Sequence, residues 1–249
     1  MKGLKLLSLV VPAYKQEKTI IEDIKNLDRI LSSFSNRHEI IVVVDGFLDK
    51  TFERAKTIES KAIKVVGYEK NHGKGYAVKY GVLKAQGDII GFIDAGMDLD
   101  PSGIIVALNL MENNKADIVV GSKLHPDSKV NYPFVRKIFS CGYRTLNNVL
   151  FGFNVKDTQT GFKFFRKKVA KDVFSRILVK RFAFDIEVLA VAYKLGFRRI
   201  YETPIKLDFS RESSITSGSF WKIILHMLWD TVAVFYRLKI LHYYDKIVQ

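Results

Sequence analysis

Three carboxylates, Asp94, Asp98 and Asp100, close the run Asp88-Ile89-Ile90-Gly91-Phe92-Ile93-Asp94-Ala95-Gly96-Met97-Asp98-Leu99-Asp100-Pro101. The apolar stretch before them reads as a buried strand, and Pro101 suits the first turn of a helix. In open α/β sheets, ligands bind beyond the carboxyl ends of the strands. Acids placed there hold a divalent cation or hydrogen-bond a sugar or ribose. Magnesium and manganese take oxygen ligands and bridge carboxylates to phosphates. Asp94, at the strand end, is expected to be functional. Asp100 is expected to cap the following helix.

Other polar clusters follow other apolar runs. Pro12-Ala13-Tyr14-Lys15-Gln16-Glu17 comes after the first, Asp45-Gly46 after the second, and Asn71-His72-Gly73-Lys74-Gly75 after the third. A lysine at a helix start opposes the helix dipole, and a bound phosphate would offset that penalty, so Lys74 is a candidate phosphate ligand. Neither a Walker A pattern nor a Gly-x-Gly-x-x-Gly fingerprint is present, which argues against ATPase and dinucleotide chemistry.

The elements that must position these residues alternate. Apolar runs at 6–11, 39–44, 62–67, 88–93 and 116–121 are separated by helical patterns at 17–33, 49–58, 74–85 and 101–113. That order predicts an α/β fold with a parallel, doubly wound sheet, and nearly all-apolar strands fit one covered on both faces. The four polar clusters should then lie along one edge.

Composition narrows the chemistry. Of 249 residues, 48% are hydrophobic, enough for a sizeable core. The single Cys141 excludes an internal disulfide and a cysteine zinc site. The first residues run straight into a strand, so a leader is not expected and a cytoplasmic location is. Charge is lopsided. Residues 1–121 hold 17 Lys+Arg against 16 Asp+Glu, whereas residues 122–249 hold 23 against 10, a net of +13. A surface of that kind attracts anionic lipid, nucleic acid or a phosphorylated substrate. No nucleic-acid motif accompanies the charge, so nucleic acid is not an expected partner.

Val10-Val11-Pro12-Ala13-Tyr14, Val44-Asp45-Gly46, Asn71-His72-Gly73-Lys74-Gly75, Asp94-Ala95, Gly121-Ser122-Lys123, Asp157-Thr158-Gln159-Thr160-Gly161-Phe162-Lys163 and Phe184-Asp185-Ile186-Glu187 together resemble family 2 glycosyltransferases of the GT-A fold. The similarity is strongest to dolichyl- and polyprenyl-phosphate glucosyl and mannosyl transferases, and the Asp157 run is its most specific part. The resemblance implies a nucleotide-sugar-binding half over 1–121, an acceptor-binding half over 122–210 and a membrane-associated tail over 211–249. It implies that Asp45 bonds the nucleotide base, with Pro12, Ala13 and Glu17 lining the pocket, and that Asp94 lies near ribose and metal. Asp157 is implied as the catalytic carboxylate. Two positions depart from the family. Val44 replaces the first acid of the second loop, and Gly96 replaces the second acid of Asp-x-Asp. Asp98 is then the remaining candidate to join Asp94 as ligand of a divalent metal, Mg2+ or Mn2+.

An anionic acceptor beside Asp94 and Asp157 needs cations. Lys123, Arg136, Arg144 and Arg211 are the candidates, because Arg holds phosphate in a bidentate fork. Arg136 and Arg144 fall on a helix predicted over 134–150. Asp185 is expected to cap a helix over 186–195. Residues 219–244 are rich in aromatic and aliphatic residues, but Lys222, His226, Asp230 and Arg237 interrupt them on one helical stripe. The pattern fits a helix lying in a membrane interface, with a core helix as the alternative. The reading that results is hexose transfer from a nucleotide-diphosphate sugar, UDP-glucose ahead of GDP-mannose, to a polyprenyl or dolichyl phosphate. The enzyme would sit peripherally on an anionic, cytosolic membrane face, with inversion at the sugar. Transfer to a saccharide hydroxyl and a non-catalytic nucleotide-sugar binder are the rivals.

Overall fold

The computed structural model describes residues 6–34, 37–96, 99–130, 134–153, 155–181, 183–207 and 220–245, with backbone alone over 134–141 and 220–223. The all-apolar runs form β1 (Leu7–Ala13), β2 (His38–Asp45), β3 (Ile63–Tyr68), β4 (Ile89–Ile93) and β5 (Ile118–Ser122). Helices α1 (Ile20–Phe34), α2 (Thr51–Lys56), α3 (Lys74–Lys84) and α4 (Gly103–Asn113) alternate with them. Expected and observed boundaries differ by a few residues at most.

The second half adds β6 (Lys129–Val130), α5 (Phe134–Phe151), β7 (Phe162–Arg166), α6 (Lys167–Phe174), α7 (Phe184–Lys194), β8 (Ile200–Pro204), β9 (Lys206–Leu207) and α8 (Phe220–Lys239). Seven strands form one sheet in the order β3-β2-β1-β4-β7-β5-β8, and β6 pairs with β9 apart from it. Every pairing in the large sheet is parallel except those of β7, which runs antiparallel between β4 and β5. Strand order reverses between β1 and β4, both adjacent in the sheet, and this is the switch point where such folds bind ligands.

Apolar side chains cover both faces. Leu9, Val42 and Val119 on one face meet Ile24 of α1 and Leu108 of α4. On the other, Val10, Val43, Phe92 and Phe165 meet Val78 of α3, Val173 of α6 and Leu189 of α7. Burial on both faces is why the strands carry almost no polar residue. Among the described residues, no helix is long and apolar enough to cross a membrane.

Candidate active site

The carboxyl ends of the strands carry several of the expected residues. Asp94 follows β4, and its neighbour across the sheet is the start of β7, because Ile93 pairs with Phe162. The Asp94 N–H donates to the Gly161 carbonyl at 3.1 Å. A Cβ on Gly161 would lie 1.8 Å from Asp94 Oδ2, so only glycine leaves room for the carboxylate. Lys74, the first residue of α3, donates from Nζ to Asp94 Oδ2 at 2.8 Å, with Oδ1 2.7 Å away. Oδ1 is buried and receives no aligned hydrogen bond, so the charge of Lys74 alone answers its lone pairs. Burial pulls the Lys74 pKa down, but Asp94 and Asp185 more than reverse this and leave it raised.

Asp45, at the end of β2, is buried and fully engaged. Its Oδ1 accepts from Tyr68 Oη at 2.9 Å and from the His72 N–H at 2.8 Å. Its Oδ2 accepts from Asn71 Nδ2 at 3.0 Å and the Gly73 N–H at 2.9 Å. A carboxylate offers about four acceptor sites, so these four donors use its capacity. Asp45 thus clamps the 71–73 loop, and Gly73 enters α3 at a φ of 99° that favours glycine. A base reaches this carboxylate only by displacing one of those donors. Ala13 ends β1 beside Val44 of β2. Glu17 is drawn to the next loop, where its Oε2 accepts from the Lys50 N–H at 3.1 Å.

Asp157 and Lys123, both expected on the acceptor side, meet just after β5 ends. Asp157 is 7% exposed. Its Oδ2 accepts from the Lys123 N–H at 2.9 Å, with Lys123 Nζ at 3.6 Å. Its Oδ1 accepts from the Gln159 N–H at 3.2 Å, an Asx turn that opens the 157–161 loop. Glu202 of β8, which sequence reasoning missed, accepts from the N–H groups of both Lys156 and Asp157 at 3.1 Å. Arg144 of α5 and Lys156 line an open groove of about 530 Å³ with Thr145, Asn148 and Val149. The Arg136 side chain, Arg211 and Asp98 lie outside the described residues.

A buried ion pair underlies the loop. Lys163 of β7 is wholly buried, donating to the Thr160 carbonyl at 2.7 Å and to Asp185 Oδ1. This corrects the expectation for Asp185. Helix α7 begins at Phe184, so Asp185 lies inside its first turn and turns to Lys163 instead of capping. Burial pushes Asp185 up and Lys163 down from their ordinary values, each opposed by the other's charge. A lone lysine inside the apolar run Phe162-Lys163-Phe164-Phe165 was the signal that could have found it.

Comparison with known proteins decides the class. The protein-family model for glycosyl transferase family 2 matches residues 8–174. The chain belongs to glycosyl transferase family 2. A dolichyl-phosphate β-glucosyltransferase of Trichomonas vaginalis is 33% identical over 94% of this chain and 74% of that protein. The human dolichyl-phosphate β-glucosyltransferase is 32% identical over 76% of this chain and 63% of that one. Among solved structures, glucosyl-3-phosphoglycerate synthase from Mycobacterium tuberculosis, in complex with Mn2+, uridine diphosphate and phosphoglyceric acid, superposes with a TM-score of 0.68 at 20% identity, covering 94% of this chain and 78% of that one. The fold of this glycosyltransferase is therefore GT-A.

A divalent metal fits the described residues of this glycosyltransferase poorly. No group of three His, Cys, Asp or Glu is placed to hold one among the described residues. Gly96 brings no side chain, and its N–H donates to buried Asp23 at 3.2 Å. Of the expected pair, Asp98 lies outside the described residues, and the Asp94 carboxylate already carries the Lys74 ammonium.

Helix α8 carries two faces. Thr231, Val234 and Leu238 are buried, and α8 packs against α7. Arg237 is turned inward, with its guanidinium 3.8 Å from Glu187, so it leaves the expected polar stripe. Buried Glu187 also accepts from the Leu178 and Val179 N–H groups at 2.9 and 2.7 Å and from Tyr244 Oη. On the outer face Leu225, Trp229, Val232 and Tyr236 follow a four, three, four spacing, each at least half exposed.

Proposed function

We propose that this glycosyltransferase moves glucose from UDP-glucose to a dolichyl or other polyprenyl phosphate, with inversion, at the cytosolic face of an anionic membrane. The observation that carries the reading is the 157–161 loop. Asp157 and Lys123 stand at one end, and at the other Gly161 packs against Asp94, which pairs with Lys74. One short segment spans the acceptor and donor carboxylates. The names of the Trichomonas and human relatives support the sugar and the lipid phosphate.

In this reaction a phosphate oxygen of the lipid attacks the sugar anomeric carbon. The bond from that carbon to the diphosphate oxygen breaks, and UDP leaves with the electron pair. A phosphate monoester, with its second pKa near ~6, is largely ionised at neutral pH. Asp157 therefore orients the acceptor and takes any residual proton, while Lys123 draws the phosphate in. Lys74 answers the charge that develops on the leaving diphosphate. The outer face of α8, with the net +13 of residues 122–249, supports seating on an anionic bilayer, where the lipid's phosphate emerges at headgroup level.

The test is incubation with UDP-glucose and a short-chain polyprenyl phosphate, with product analysis and anomeric assignment. A β-linked glucosyl phospholipid is expected. Transfer only to saccharide hydroxyls, or donor binding without transfer to any lipid phosphate, overturns the reading.

A further inference from the structure

We propose that the Lys74 ammonium is the resident cation of the donor site, and that a divalent metal competes with it for Asp94. The inference rests on the nucleotide-sugar reading above and deepens it. Lys74 Nζ lies 2.7 and 2.8 Å from the two oxygens of Asp94. It therefore sits where a metal ion bound across both carboxylate oxygens would sit, and a metal in that position would have to displace it.

Three further features hold it there. Asp45 fixes the 71–73 loop with four hydrogen bonds, and that loop sets the start of α3 and so the origin of Lys74. Gly161 presses its Cα against Asp94, which confines the carboxylate. The Lys74 ammonium also lies 5.8 Å from the Phe184 ring centroid, on its face. The position that would recruit a metal instead is Gly96, whose backbone is committed to Asp23.

An ammonium at a helix N-terminus and beside one carboxylate can donate to a diphosphate without leaving its site, because Lys carries three donors. A metal at the same carboxylate would need the diphosphate and water for its other ligands and would have to expel Lys74. The chain thus has a built-in cation where the metal ligand is lost. Removing that cation should open Asp94 to the metal.

The experiment measures UDP affinity by calorimetry in chelator and in Mn2+, for wild type, Lys74→Gln and Lys74→Gln/Asp94→Asn. Manganese EPR reports metal capture independently of turnover, and circular dichroism confirms folding. Wild type is expected to bind UDP in chelator and to gain less than about 3-fold from Mn2+. Lys74→Gln is expected to lose at least about 10-fold in chelator, to recover in Mn2+ by a larger factor than wild type gains, and to immobilise more Mn2+ in the EPR spectrum. The double variant should lose that recovery. A wild type whose Mn2+ gain equals or exceeds that of Lys74→Gln overturns the proposal while leaving nucleotide binding intact. A wild type that binds UDP in neither buffer overturns the nucleotide-sugar reading itself, and the proposal with it.

Discussion

Lys163→Met should destabilise the protein strongly at neutral pH and weakly in mild acid. Met keeps much of the side-chain volume, so packing changes little. What changes is Asp185, which is 3% exposed and loses the partner that justifies its charge. It has two options. It stays ionised and unpaired, or it takes a proton, and the cheaper option sets the cost. Neutralising a carboxyl of ordinary pKa 3.8 at pH 7 costs about 4 kcal/mol, and at pH 5 about 1.6 kcal/mol. The lost hydrogen bond to the Thr160 carbonyl adds about 1 kcal/mol. The attraction between Lys74 and Asp185 remains and trims the total. The expected loss is therefore about 3–5 kcal/mol at pH 7, the range found when one partner of a buried pair is removed.

The sign of the pH dependence follows from linkage. In the variant, the folded pKa of Asp185 lies above its unfolded value. The folded state binds the extra proton, and stability falls as pH rises from the unfolded pKa toward the folded one. The deficit relative to wild type should thus shrink by about 2–3 kcal/mol between pH 7 and pH 5. Urea unfolding followed by circular dichroism at both pH values measures it, provided the slope is unchanged. Lys163→Met/Asp185→Leu removes both charges and should return within about 1 kcal/mol of wild type at both pH values. A loss under about 1 kcal/mol at pH 7, or an equal loss at both pH values, refutes the reasoning.

Gly161→Ala should weaken UDP-glucose binding at least about 10-fold at a folding cost of about 1–3 kcal/mol, because its Cβ would overlap Asp94 at 1.8 Å; calorimetry with unchanged donor affinity would contradict this. Asp157→Asn should cut transfer about 100-fold or more while donor affinity stays within about 3-fold, if the residue serves the acceptor as proposed; equal losses in both would place it on the donor side instead. Trp229→Glu, at a position 74% exposed, should leave thermal stability nearly unchanged but lower sedimentation with anionic liposomes at least about 10-fold. Sedimentation that matches wild type would remove Trp229 from the membrane contact.

The parallel part of the fold was legible because physics writes it locally. A strand covered on both faces must be apolar throughout, and it must stop where a polar loop begins, as at Asp45 and Asp94. What sequence reasoning did not see was long-range. Strand β7 carries Lys163 at its second position and Arg166 at its end, so it does not read as a buried strand. Its antiparallel direction is set by its neighbours in the sheet and leaves no mark in its own sequence. Asp185 looked like a helix cap because a helix does begin there, and only the sheet contact with Lys163 reveals its partner. Asp45 was singled out for the nucleotide base, but its grip on Tyr68, Asn71, His72 and Gly73 depends on β2 and β3 lying side by side. For α8 the core alternative accounts for the face packed on α7, and the exposed apolar face is the one proposed above to meet the membrane.

The direction of β7 is what brings the two halves of the chemistry together. A parallel strand between β4 and β5 would enter the sheet at the opposite edge and leave its preceding loop there. Running antiparallel, β7 begins at the edge where β4 and β5 end. Pairing of Ile93 with Phe162 then sets Gly161 against Asp94, and the Asp157 end of the loop falls beside Lys123 of the segment after β5. Two residues into the strand, Lys163 reaches back to Thr160 and fixes the loop from beneath. The chain order Asp157, Thr160, Gly161, Lys163 is therefore a single device. One carboxylate is proposed to face the acceptor, one glycine yields space to Asp94, the proposed donor carboxylate, and one buried lysine fastens the loop between them. Loosening that fastening without unfolding the sheet, as Lys163→Met does in mild acid, should cost transfer before it costs donor binding, because Asp94 is still held by Lys74 while the Asp157 end of the loop has lost its anchor.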